Sequence, residues 1–165
     1  MKLFCVRHGH AERLSHHTDE RSLTQEGIDA VSRIAVYLKQ RKVQIMHLMY
    51  SGKLRAQQSA KILSEIVAIS SIKNGKTATK VCTLLEPEHS SVTPLVDLIK
   101  KWHENTMLVG HMPFLSRLVS ALVLGNDSCH CNILRLSPGT VVCLERTENF
   151  QWILDWIIHP DLIPN

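Results

Sequence analysis

Short apolar runs alternate with helical patterns along most of the chain. Four apolar runs have the length of strands, at residues 3–6, 45–50, 81–85 and 107–109. Apolar residues recur at helical spacing in four other segments, at residues 28–38, 54–67, 95–102 and 114–123. This alternation predicts one domain over residues 1–165 with a three-layer α/β/α sandwich fold, in which helices cover both faces of a mostly parallel sheet.

The last third of the chain departs from the alternation. Ser137-Pro138-Gly139 has the composition of a turn. Two strand-like runs then follow at residues 140–144 and 150–154, joined by a short polar segment. A short connection between two strands favours an antiparallel pair, so we expect an antiparallel edge on the parallel sheet.

Three of the expected strands end at basic or imidazole side chains beside a glycine. The segments are RHGH at residues 7–10, SGKLR at 51–55 and GHMP at 110–113. In open α/β sheets, ligands bind beyond the carboxyl ends of the strands. We therefore expect these three segments to meet in one anion site.

Their chemistry fits a tetrahedral phosphoryl group. Arg7 and Arg55 can each offer a planar fork of donors to phosphate oxygens. The imidazole of His8 can attack phosphorus as a nucleophile, and His111 can donate to an oxygen that gains charge. Because two arginines already favour the anion, we expect no metal and no cofactor.

Composition narrows the class of protein. The chain has 165 residues, 44% hydrophobic and 21% charged, with a formal net charge of +4. No apolar stretch has the roughly 20 residues of a membrane span, and no basic cluster with aromatic residues indicates nucleic acid. Five scattered cysteines and no secretory signal indicate reduced thiols in a cytoplasmic protein. We interpret the metal-like segments 16–17 and 129–131 as ordinary loops.

Several segments together resemble the histidine phosphatase superfamily, also called phosphoglycerate-mutase-like. They are RHG at 7–9, RSLTQEG at 21–27, SGKLRAQQS at 51–59 and VGHMP at 109–113. The short chain is most similar to the SixA-type phosphohistidine phosphatases within it. The resemblance implies that His8 is phosphorylated during catalysis, and that Arg7, Arg55 and His111 complete the phosphate pocket.

Other residues are candidates for substrate binding. They are Gly9, His10, Arg21, Glu88, His89 and Met112. Some of these depart from the family pattern, since His10 replaces a common acidic residue and Met112 a frequent asparagine. Glu86, Glu88 or His89 could serve as a general acid, but an ordinary polar loop explains them equally well.

The substrate stays open at this level. About 30 residues between Tyr50 and the next strand leave little chain for a lid, which favours a phosphorylated protein. A P–N bond to imidazole also breaks without a strong acid. The family implies a histidine-containing phosphotransfer domain as partner in signal transduction. The alternatives are a small-molecule phosphomonoesterase, a non-catalytic phosphate-binding module and, with least support, a nucleic-acid binder.

Overall fold

The computed structural model describes residues 1–13, 20–67, 79–89, 91–125 and 133–164. In chain order its elements are β1 (Lys2–Arg7), α1 (Gln25–Gln40), β2 (His47–Tyr50), α2 (Leu54–Ile66), β3 (Thr79–Val81), α3 (Thr93–Ile99), β4 (Thr106–Gly110), α4 (Phe114–Leu124), β5 (Val141–Arg146) and β6 (Trp152–Ile158). Short 3₁₀ helices span Thr83–Leu85 and Pro160–Leu162. Within these ranges, no helix is long and apolar enough to cross a membrane.

The strands form one sheet in the order β3-β2-β4-β1-β5-β6. β3, β2, β4 and β1 are parallel to one another, whereas β5 pairs antiparallel with β1 and β6 pairs antiparallel with β5. The prediction of a mostly parallel sheet with an antiparallel edge is confirmed. β1 and β4 lie at the centre, so the segments that follow them leave from the best-supported part of the sheet.

A separate apolar core covers each face of the sheet. One core joins α1 and α2 to the sheet through residues such as Val31, Ile34 and Leu63. The other joins α3 and α4 to the opposite face through Leu95 and Leu118, among others. The structure therefore has the three layers that the sequence predicted.

Capping residues mark where α1 begins and where α4 ends. Thr24 caps α1, and its hydroxyl accepts from the backbone N–H of Gly27 at 3.1 Å. α4 ends at Gly125, whose φ of 66° is left-handed, a conformation that glycine adopts without steric cost. Gly139, in the expected turn, also has a positive φ, of 80°.

The third strand is shorter than expected and lies earlier. β3 ends at Val81, and the backbone N–H of Cys82 makes one more bond to the carbonyl of Tyr50 at 2.8 Å. The chain then turns into the 3₁₀ helix Thr83–Leu85, which buries Leu85 in the core beside α3. An apolar run without a clear period can supply either a strand or a buried turn, and here tertiary packing selected the turn.

Candidate active site

Strand pairing brings the three expected segments together. In register, Arg7 of β1 lies opposite Gly110 of β4, and Tyr50 of β2 lies opposite Val109. The backbone N–H of His8 donates to the carbonyl of Gly110 at 3.1 Å. The parallel strands therefore end level with one another, and the residues that follow them share one edge.

His8 is a buried, neutral imidazole with a defined tautomer. Its side chain is only 7% exposed, and its Nδ1 lies 2.7 Å from the carbonyl oxygen of Gly9. A carbonyl can only accept, so Nδ1 carries the proton and Nε2 keeps its lone pair. Burial, supported by the charges of Arg55, Arg7 and Arg21, lowers the pKa of His8 to about 4.

Arg55 faces the nitrogen that keeps the lone pair. Its Nε donates to the Nε2 of His8 at 3.2 Å. Arg55 lies in the first turn of α2, which begins at Leu54 just after β2. Burial and the charge of Arg21 lower the pKa of the Arg55 guanidinium, although Glu88 raises it. An anion that bound here would offset this crowding of positive charge.

The ring of His111 packs beside that of His8. Their centroids are 4.8 Å apart, and His111 is 2% exposed. Burial first, and then the neighbouring His8, Arg55, Lys53 and Arg7, lower the pKa of His111 to about 3. Both imidazoles are therefore neutral at pH 7, and cations surround them.

Arg7 completes the positive surroundings of the two rings. Its Nη1 donates to the carbonyl of Leu136 at 2.5 Å, which orients the guanidinium, and its buried Nε has no partner in the described part of the chain. Burial and the charge of Arg135 lower the pKa of Arg7. Arg135 was not predicted as a site residue. A single arginine just before the Ser137-Pro138-Gly139 turn gives no sign in the sequence that it lies near Arg7.

The loop that carries His8 packs directly against the backbone of α1 at Gly27. A Cβ at Gly9 would lie 2.6 Å from the carbonyl oxygen of Gly27, and a Cβ at Gly27 would lie 2.1 Å from that of His10. The N–H of Gly9 also donates to the Ser59 hydroxyl at 3.1 Å. These contacts lock the His8 loop against α1 and α2.

His10 and Arg21 lie on the outer side of this loop. His10 is exposed, and its Nδ1 lies 3.0 Å from the Thr24 hydroxyl. Arg21 donates from Nε to the carbonyl of Glu12 at 2.5 Å, and its charge lowers the pKa of both His8 and Arg55. Arg21 thus lies near enough to the pocket to contribute to its potential.

An ion-pair cluster borders the pocket on the β2 side. Lys53 Nζ lies 2.6 Å from Glu88 and 3.6 Å from Glu86. The bond to Lys53 lowers the pKa of Glu88, and Arg55 also contributes. Lys53 therefore has two carboxylate partners beside the site.

The remaining two candidates make local contacts. The Nε2 of His89 lies 2.9 Å from the carbonyl of Thr83 in its own loop. Met112 is partly buried and packs against the core formed with α3 and α4. Their substrate-binding roles stay predictions. Segments 16–17 and 129–131 lie outside the described residues.

This chain is similar to known proteins in its fold. No family model matches the chain, and no curated protein matches its sequence. Among solved structures, the protein histidine phosphatase SixA in complex with tungstate has a TM-score of 0.82 at 21% identity, over 99% of this chain and 100% of that one. A candidate SixA phosphohistidine phosphatase from Agrobacterium tumefaciens has a TM-score of 0.75 at 17% identity, over 96% and 97%.

A mycobacterial glucosyl-3-phosphoglycerate phosphatase also matches, with a TM-score of 0.68 at 18% identity, over 93% of this chain and 96% of that one. These structures share one fold over nearly their whole length. The chain has the histidine phosphatase, or phosphoglycerate-mutase-like, fold. The SixA phosphatases are among its structural neighbours, as the sequence resemblance led us to expect.

Proposed function

We propose that this protein is a phosphohistidine phosphatase that removes the phosphoryl group from a histidine of a partner protein. The observation that carries the proposal is the pairing of His8 Nε2, an unprotonated nitrogen, with the Arg55 guanidinium at 3.2 Å. A nucleophile and a phosphate-binding cation are thus already in contact. The structural likeness to phosphatases supports the hydrolase class.

The reaction proceeds in two steps. The Nε2 lone pair of His8 attacks phosphorus, and the P–N bond of the substrate breaks. The substrate's imidazole, protonated on its other ring nitrogen, leaves as a neutral ring with the bonding electron pair. The Nδ1–H of His8, held by the Gly9 carbonyl at 2.7 Å, stabilises the positive charge that develops on the ring. Water then attacks the phosphorylated His8 and releases inorganic phosphate, restoring the free imidazole.

The guanidinium groups contribute by charge rather than by proton transfer. Arg7 and Arg55 both carry lowered pKa values because they are partly buried near other arginines. A transferring phosphoryl group spreads negative charge over its equatorial oxygens, so preorganised cations stabilise it. We expect this clamp to support the reaction without a metal ion.

The carboxylate of Glu88 beside the pocket favours an imidazole leaving group over an alkoxide. An alkoxide needs a proton donor, whereas Glu88 is exposed and its bond to Lys53 lowers its pKa. Glu88 is therefore ionised at neutral pH and is a poor acid. An imidazole takes up its proton on the ring nitrogen away from phosphorus, so it does not need one from Glu88.

A small-molecule phosphomonoesterase is the second candidate. The loop that carries Glu86 and Glu88 supports it. Glu88 is close enough to Arg55 to affect its pKa, and Oε1 of Glu86 lies 2.8 Å from where a Cβ at Gly52 would be. A small phosphate ester bound on Arg55 could then reach a carboxyl group of this loop. The glucosyl-3-phosphoglycerate phosphatase among the structural neighbours is named for such a substrate.

Trapping the phosphoenzyme tests the main proposal. The purified protein is mixed with a protein carrying ³²P on histidine, quenched in alkali and mapped for label. We expect acid-labile, alkali-stable label on His8 and none on His8→Ala. Absence of label from the wild-type protein, with sugar phosphates hydrolysed instead, would overturn the protein-substrate proposal.

A further inference from the structure

A buried hydroxyl contacts the second imidazole of the site. Ser51 follows β2, its side chain is 0% exposed, and its Oγ lies 2.8 Å from the Nε2 of His111. The backbone N–H of Lys53 donates to the same Oγ at 3.3 Å. The hydroxyl oxygen accepts that bond and keeps its own proton, which can point at the imidazole.

The other nitrogen of His111 is the informative one. Nδ1 is buried and has no hydrogen-bond partner among the described residues. A buried polar atom without a hydrogen bond is destabilising, so it calls for a partner outside the protein, such as a water, an ion or a ligand. The His111 ring lies beside the nucleophile, with its centroid 4.8 Å from that of the His8 ring, so a phosphoryl group bound to His8 would lie next to it.

We propose that Ser51 is a positioning residue: it donates its O–H to Nε2 of His111, so that the neutral ring carries its proton on Nδ1 and presents that N–H to a phosphoryl oxygen. This inference rests on the proposed function, because it assigns a role within the same site. It involves hydrogen bonds only, and no proton changes atoms.

The opposite tautomer does not suit an anion. If Nε2–H donated to Ser51, Nδ1 would present a lone pair to the phosphate oxygens, and the two would repel. The Ser51 proton would then have no acceptor among the described residues, although the side chain is fully buried. One hydrogen-bond direction satisfies Ser51, Nε2 and the bound anion at the same time. The pKa of His111, lowered to about 3, keeps the ring neutral, so its tautomer matters.

Nitrogen NMR of the wild-type protein tests the assignment directly. At pH 7 the ¹⁵N chemical shifts of a neutral histidine distinguish the protonated nitrogen from the unprotonated one, and the His111 signals are assigned by their loss in His111→Asn. We expect Nδ1 protonated and Nε2 unprotonated. The reverse pattern would overturn the proposal, and it would do so without any measurement of activity.

Variants connect the tautomer to the rate. Ser51→Ala removes the donor, so we expect mixed tautomers and a kcat about tenfold lower, with a smaller change in KM, because Nδ1–H acts mainly on the charge that develops in the transition state. Ser51→Thr keeps a hydroxyl and should keep the wild-type tautomer and most of the rate. Ser64→Ala, an exposed hydroxyl on α2, is the control and should change neither.

The outcomes separate this inference from the proposed function. Label on His8 together with an Nε2-protonated His111 would refute the proposed role of Ser51 but support the phosphatase function. Unchanged shifts and rate in Ser51→Ala would also sink it. No label on His8, with Nδ1 of His111 protonated and Ser51→Ala mixed, would keep the hydrogen bond and refute the proposed reaction.

Discussion

Nε of Arg55 donates a hydrogen bond to Nε2 of His8 across 3.2 Å. The guanidinium therefore occupies the direction from which phosphorus must approach the nucleophile. It also disfavours protonation of that nitrogen, since a second positive charge there would face it directly. Phosphate binding must draw Arg55 from the nitrogen to the phosphate oxygens, and this exchange leaves Nε2 open at the moment the substrate arrives.

We predict that Arg55→Ala lowers kcat/KM for the phosphohistidine substrate by about 10²–10³-fold, the usual loss for a preorganised transition-state donor. Arg55→Lys should recover only part of the rate, because lysine lacks the planar fork. Arg41→Ala, which removes an arginine that stacks on Tyr37 beyond the end of α1, is the matched control. Steady-state kinetics of the three variants give the comparison, and equal rates for Arg55→Ala and Arg41→Ala would contradict it.

The pH dependence of the first step should reflect the lowered pKa of His8. With a pKa of about 4, the ring of the free enzyme is the neutral nucleophile from pH 7 down to about pH 5. We expect kcat/KM for phosphoenzyme formation to stay level over that range and to fall as the pH drops through about 4. Rates are corrected for spontaneous acid hydrolysis of the substrate and collected only where circular dichroism shows a folded protein. A fall centred near pH 6.5 would show that His8 titrates as an ordinary histidine.

Stability should decrease with acid for the same reason. The pKa of His8 in the folded protein is about 4, below its unfolded value of about 6.5, so the unfolded chain takes up the proton first. The neutral ring therefore favours folding above pH 6.5, and this contribution is lost as the pH falls from about 6.5 to 4. It is on the order of 3 kcal/mol for His8. The difference between the wild-type protein and His8→Asn in urea unfolding at pH 7.5 and 4.5 measures it, and the variant should show the shallower dependence.

Gly27→Ala should disrupt the site although alanine is the better helix former. Its Cβ would lie 2.1 Å from the carbonyl oxygen of His10, so the His8 loop must move away from α1. We expect a loss of about 2 kcal/mol or more in stability and a greater than tenfold loss of activity, against a propensity gain of about 1 kcal/mol. Ser32→Ala on the same helix should be neutral or slightly stabilising. Thermal melts and phosphoenzyme assays make the comparison.

Glu88 separates the two candidate substrates. If the leaving group is imidazole, Glu88→Gln should change kcat by less than about threefold, since no proton is needed from this side chain. A phosphate ester would instead lose about 10²-fold or more with Glu88→Gln or Glu86→Gln. Each variant is assayed on a phosphohistidine protein and on a panel of sugar phosphates. The pattern across substrates identifies the leaving group.

The sequence predicted the framework and the centre of the site, because both depend on patterns along the chain. Arg7 ends β1, whereas Arg55 and His111 follow β2 and β4. These strands are mainly apolar, and parallel strands place their carboxyl ends at one edge. The roles of Ser51 and Arg135 depend instead on contacts between distant segments. A serine after a strand gives no sign in the sequence that its hydroxyl lies 2.8 Å from a particular imidazole.

The position of the third strand also could not be predicted from the sequence pattern alone. Residues 81–85 are apolar except for Thr83, but only Val81 belongs to β3. Thr83–Leu85 form a 3₁₀ helix that buries Leu85. The loop after this turn carries Glu86 and Glu88 to Lys53. The ion-pair cluster thus depends on a backbone turn that the pattern of apolar residues did not reveal.

The central position of β1 and β4 has a consequence for how the protein unfolds and loses its activity. Their neighbours on both sides hold them, so amide hydrogens in these two strands should exchange with solvent only when the whole domain opens. Loss of function on heating and collapse of the fold should then be a single event, observed at one temperature by both assays. Inorganic phosphate, the expected product of the proposed reaction, should delay both together if it binds at that shared edge.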